Sequence, residues 1–251
     1  MQISYFEEFP KKINSNKLRL VKNKTKLYLA AHNLEEFLAI SKQLDLDKLK
    51  EAIYWPILEK REGYWISPFS RRKALKRVFL ELKNKKISVM LDLELPTTKN
   101  PELYFTQFFN FFRNKNLIHQ FIEKYNGQIY LAEYYPEGKR KEQFLEFLGL
   151  HYSTSKVKVI KMLYHSLHNF SNEFMINELK RGREEFGDNY LVALGTIARG
   201  ISGDEPLLSP MQLKEDLELV EKAGIREVII FRLGGLNSKY LKVINDIKVE
   251  S

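Results

Sequence analysis

The 251-residue chain has no cysteine, which excludes disulfides, thiolate metal sites and cysteine nucleophiles. It also lacks any apolar run near the roughly 18 residues that a membrane-spanning helix needs, so no membrane partner is expected. The opening MQISYFEEFPKK carries acids and has no apolar stretch of the kind that marks a secretory leader. A cytoplasmic location is the expectation. No linker or low-complexity segment breaks the chain, so residues 1–251 are read as one domain. Acidic residues are the minority: 32 Asp and Glu against 41 Lys and Arg give a formal charge of +9. The basic residues are spread over 71–76, 83–86, 139–141 and 180–183 with no nucleic-acid-binding motif beside them. They read as a solvated, lysine-rich surface rather than a nucleic-acid interface. Abundant Lys and Glu without Cys also suits a thermophilic source.

What is present is a repeating apolar pattern. Eight short runs, at 3–9, 26–31, 52–58, 87–95, 128–135, 157–167, 190–198 and 227–233, are β-branched or aromatic and mostly apolar on both faces. Strands of a parallel sheet covered by helices read this way. Helix start signals stand between them: Asn33 with Glu36 three residues on, Asn100-Pro101-Glu102, and Ser209-Pro210-Met211-Gln212. The segment 11–24 gives a weaker helix signal, and 59–70 reads as an aromatic loop before a helix over 71–82. Eight βα units in this length match a (β/α)₈ TIM barrel. An open doubly wound sheet is the alternative, and the even spacing favours closure.

Barrels of this kind carry their chemistry at the carboxyl ends of the strands, which directs attention to 87–96, ISVMLDLELP. Asp92 and Glu94 are two apart and so share a strand face. A carboxyl beside a second carboxylate has its pKa raised, and an acid kept protonated in this way can donate to a leaving oxygen. Glycoside hydrolysis needs that step. A salt-bridged structural pair is the other reading of the same residues. The sixth strand ends Met162-Leu163-Tyr164-His165, which offers a phenol.

Together these residues resemble the chitinase-type barrel of glycoside hydrolase family 18. Its fourth strand ends D-x-D-x-E, often followed by an aromatic and proline, and its sixth ends M-x-Y-D or M-x-Y-N. Asp92, Glu94 and Pro96 match the first pattern, and Met162 and Tyr164 the second. Tyr5-Phe6 in the first strand is similar to the family's opening. The resemblance implies that Glu94 protonates the glycosidic oxygen, that Asp92 orients a substrate N-acetyl group acting as internal nucleophile, and that Tyr164 supports that group. No cofactor is implied. The chain departs from the family at Met90 and Ile87, where acids are usual, and has no tryptophan ending the eighth strand. A non-catalytic binding barrel therefore stays open.

Further candidates surround this pair. Glu133, ending the fifth strand, reads either as a second carboxylate beside Glu94 or as a structural acid. Trp55 and Trp65, with Tyr64 and Phe69, suit either a sugar platform or a self-packed loop. His32 and His165 end strands near acids, but without H-x-H or H-x-x-E-H spacing no metal is expected. Arg232 with Gly234-Gly235, and Arg199 with Gly200 and Gly203, offer a rival site for a phosphorylated metabolite, since exposed amides at a helix start suit an anion. The expected partner is a small molecule or oligosaccharide, and the oligomeric state is not legible.

Overall fold

A computed structural model describes residues 1–96, 102–135, 138–152 and 154–247, leaving out the side chains of Lys12, Ile13 and Lys139. The expected cap at Asn100-Pro101 lies outside these residues. All eight expected strands are present: β1 Gln2–Glu7, β2 Thr25–Ala31, β3 Leu49–Pro56, β4 Val89–Leu93, β5 Ile129–Tyr134, β6 Val157–Met162, β7 Tyr190–Gly195 and β8 Glu227–Phe231. They form a closed parallel barrel in the order β1-β2-β3-β4-β5-β6-β7-β8. Among the described residues the helices are α1 Lys12–Ser15, α2 Leu34–Ser41, α3 Arg72–Leu82, α4 Glu102–Thr106, α5 Phe111–Lys124, α6 Lys139–Phe147, α7 Asn172–Phe186, α8 Pro210–Lys222 and α9 Ser238–Asp246. The weak signal over 11–24 corresponds to α1 and a short 3₁₀ turn, Asn16–Leu20.

Caps fall where short polar side chains meet exposed helix amides. Asn33 Oδ1 accepts the Glu36 N–H at 2.8 Å, and Glu36 Oε2 reaches back to the His32 N–H at 2.7 Å. Ser209 Oγ accepts the Gln212 N–H at 3.1 Å, with Pro210 at the first helical position, where no amide is wanted.

The chain divides into two compact units. The first comprises Met1–Ala30, Ala39–Ile53 and Ile160–Ser251. Its strands β7 and β8 bury Val192, Leu194, Val228 and Ile230 completely. One polar cluster sits among them. Glu227 Oε2 pairs with Lys26 Nζ at 2.6 Å, while its Oε1 accepts from Ser4 Oγ at 2.7 Å and Tyr28 Oη at 3.2 Å. Buried charges persist when they are paired and hydrogen-bonded in this way.

The second unit comprises Ala31–Leu38 and Tyr54–Val159. Leu75, Val78 and Leu82 lie on one face of α3, and Ile118 and Ile122 on one face of α5, all of them buried. Their spacing of three and four residues is the helical period. β4 pairs with β5 in the register Asp92↔Ala132 and Leu93↔Glu133, and that register decides what surrounds the acidic pair.

Candidate active site

The site is built on the ends of β4 and β5. Period-two alternation puts register partners on the same face, so Asp92, opposite Ala132, shares its face with the next pair along, Glu94 and Tyr134. The Tyr134 hydroxyl donates to Glu94 Oε2 at 2.8 Å, and Asp92 and Glu94 are hydrogen-bonded to each other. Asp92 is buried and Glu94 partly exposed.

Desolvation by the protein packed around Glu94 pushes its carboxyl above the usual carboxylate range, offset in part by the hydrogen bonds from Tyr134 and Asp92. Burial next to these acids likewise raises the Tyr134 phenol, which therefore stays a hydrogen-bond donor. A hydrogen-bonded carboxyl pair capped by a neutral phenol can hold a proton to higher pH than a solvated carboxyl does and deliver it.

The aromatic loop is tied to the same strand end. The Ile66 N–H donates to the Asp92 carbonyl at 3.0 Å. Ser70 Oγ donates to the Trp65 carbonyl at 2.7 Å. Gly63 turns the loop with φ +123°, and a Cβ there would meet Ser70 Oγ at 2.9 Å. Tyr64 follows in the left-handed region, φ 64°, an uncommon conformation for an aromatic residue. The result is a partly exposed Trp65 ring stacked on a buried Trp55, with centroids 6.4 Å apart and planes 12° from parallel, and flanked edge-on by Tyr64 at 4.2 Å. Of the two expected tryptophans, only Trp65 offers a surface; Trp55 is 2% exposed and serves as its backing.

Glu133 lies across from Leu93, not from Glu94, and points to the opposite face. It is completely buried, and its Oε2 lies 2.8 Å from His151 Nδ1 while Oε1 accepts the Tyr152 N–H at 3.3 Å. Of the two readings of Glu133, the contact with His151 agrees with the structural acid, and the residue that β5 brings to Glu94 is Tyr134.

His32 stands on the surface, 45% exposed at its side chain, 3.8 Å from Glu59. Tyr164 follows β6 in the first unit, its ring 5.9 Å from that of Phe231. His165 uses both ring nitrogens internally, Nδ1 with Asp216 Oδ1 at 2.9 Å and Nε2 with the Phe170 carbonyl at 2.8 Å.

The rival anion site already holds an anion. Glu7, wholly buried, accepts Arg232 Nη1 and the Phe9 N–H on Oε1, each at 2.9 Å, and the Gly234 N–H on Oε2 at 2.6 Å. Arg232 Nε donates to the Arg199 carbonyl at 2.9 Å. The amide and guanidinium expected to grip a phosphate are taken by the chain's own carboxylate.

Tyr134 is legible in the sequence as a strand-end residue beside Glu133 but carries no assigned role there, and His151 is not singled out at all. The signal for Tyr134 was the register: aligning 128–135 with 87–95 by their last residues, 135 with 95, sets Tyr134 opposite Glu94, in keeping with the observed pairing of Glu133 with Leu93. His151 lies outside any strand and left no periodic trace.

No family model matches the chain, and no curated relative matches it. Solved structures do. A family 18 chitinase from Pseudoalteromonas aurantia superposes with a TM-score of 0.60 at 7% identity, over 98% of this chain and 99% of that one. The glycoside hydrolase domain of PgaB (BpsB) from Bordetella bronchiseptica gives 0.59 at 9% identity, over 100% and 99%. A D-tagatose 3-epimerase-like protein gives 0.56 at 12% identity, over 98% and 95%. The chain therefore has the (β/α)₈ barrel fold that family 18 chitinases share with barrels of other chemistry.

Proposed function

We propose that the protein is a glycoside hydrolase acting on a glycoside that contains an N-acetylated sugar, with Glu94 as the proton donor. The observation that carries this reading is the trio at the ends of β4 and β5: Glu94 hydrogen-bonded to Asp92, and accepting the Tyr134 hydroxyl at 2.8 Å. The raised Glu94 carboxyl keeps its proton to higher pH than a solvated glutamate does, as protonating a leaving oxygen requires. Asp92, from the other end of the shared hydrogen bond, orients the substrate's N-acetyl group. Trp65 supplies an aromatic face for the C–H side of a sugar ring. The structural neighbours named for chitinase and glycoside hydrolase activity agree with this choice of substrate class. Glu94→Gln tests it, because the amide preserves shape and an acceptor for Tyr134 but has no acidic proton. Hydrolysis of N-acetylhexosaminides whose leaving alcohol needs protonation should collapse while the melting temperature holds. If wild-type protein binds such sugars and turns none over, the chain is a binding barrel and this reading fails.

A further inference from the structure

The segment from α4 through α5 is apolar on two sides. Its backbone stays in the right-handed helical region at Gln107, Asn110 and Phe111, so α4, a 3₁₀ turn at Phe108–Asn110 and α5 run on as one helical path. One side of that path, with Leu103, Phe111, Ile118 and Ile122, is buried against the barrel. The other side carries Phe105, Phe108, Phe109 and Phe112, spaced i, i+3, i+4 and i+7, which places them in one stripe. Each is exposed to more than two thirds: 78%, 68%, 87% and 70%. Phe111 joins the stripe to α6, its ring 5.2 Å from Phe112 and 6.1 Å from Phe147. There Phe144 and Phe147 are also more than half exposed.

A helix that is apolar all round is normally covered all round. At about 200 Å² per phenylalanine, these six rings leave about 800 Å² of aromatic surface in water. That exceeds the roughly 300–600 Å² of the largest patch on an ordinary monomer. It matches the roughly 800 Å² that each partner brings to a standard interface.

We propose that this stripe is a self-association surface, covered by the same stripe of a second copy across a two-fold axis. The rim decides between a second copy and a lipid surface. Exposed or partly exposed charges of both signs stand on the same helices as the stripe: Arg113, Lys115, Arg140 and Lys141 on one hand, Glu102 and Glu146 on the other. Mixed signs can pair with their own two-fold image, whereas an anionic bilayer selects a one-signed basic border.

Sedimentation velocity of the full chain over about 1–100 µM should show a monomer–dimer equilibrium. Phe109→Glu and Phe105→Glu, both at exposed positions, should each raise the dissociation constant by about thirtyfold or more with unchanged circular dichroism. Because the chain has no cysteine, Thr106→Cys gives a single thiol one turn from Phe109. A short bis-maleimide should capture it as a dimer, and should fail to do so in the Thr106→Cys, Phe109→Glu double variant. A wild type that is monomeric throughout, or a dimer indifferent to both glutamate substitutions, overturns the proposal. So does a monomer that cosediments with phosphatidylglycerol vesicles and loses that binding in Phe109→Glu.

Discussion

Glu7→Gln should cost far more stability than its isosteric shape suggests. The carboxylate is wholly buried and collects Arg232 Nη1, the Phe9 N–H and the Gly234 N–H within 2.6–2.9 Å. Every one of these partners is a donor, so an amide nitrogen placed at either oxygen position faces another donor. Arg232, whose side chain is 13% exposed, would lose its counter-charge. Removing one member of such a pair costs about 3–5 kcal/mol. For a chain of this length about 1 kcal/mol corresponds to about 2–4 °C, so the melting temperature should fall by about 6–20 °C. Burial itself pushes the Glu7 carboxyl upward against these donors, so part of the cost of charge is relieved in the variant; the donors left unpaired outweigh it. Differential scanning calorimetry measures the loss. Arg232→Met added to Glu7→Gln should recover part of it, because the stranded cation is gone. A single-variant loss below about 1 kcal/mol, within the range of an exposed pair, would refute the reasoning and return Arg232 to the residues free to bind an anion.

The pH dependence follows from Glu94. Its folded-state pKa is raised by burial, so the stability this group contributes is present below the ordinary glutamate range and is lost as pH rises through the raised value. Activity that needs its proton should fall over the same rise. Tyr134→Phe removes a hydrogen bond that favours the carboxylate, so the alkaline limb of the kcat/KM profile should move to higher pH; an unmoved or acid-shifted limb counts against the coupling. Ser209→Ala removes the acceptor for the Gln212 N–H at the start of α8 and should cost about 0.5–2 kcal/mol in chemical denaturation without altering kinetics.

The barrel was legible because its strands are short, apolar on both faces and evenly spaced, so each run announced its own unit. Strand ends were read too long wherever apolar residues continue past the ladder, as at 157–167, where β6 stops at Met162 and Tyr164 belongs to the loop. Asp92 and Glu94 were visible as acids ending an apolar strand. Their surroundings were not, because neighbouring strands meet by register, and one residue of register decides whether Glu133 or Tyr134 faces Glu94. The loop at Gly234-Gly235 looked like an anion cradle and is one; the sequence separation of 227 residues between Glu7 and Gly234 hid the fact that the anion is internal. His165 likewise could not be seen to face Asp216, 51 residues away on α8.

The most direct test compares wild type and Glu94→Gln on two N-acetylhexosaminides that differ only in leaving group, one an alkyl or sugar alcohol and one an activated aryl alcohol. A proton donor matters to the first and little to the second. The expected result is a loss of about 10²–10⁴ in kcat for the alcohol that needs protonation and a much smaller loss for the activated aryl glycoside. Equal losses on both substrates, or none on either, would contradict Glu94 as the acid.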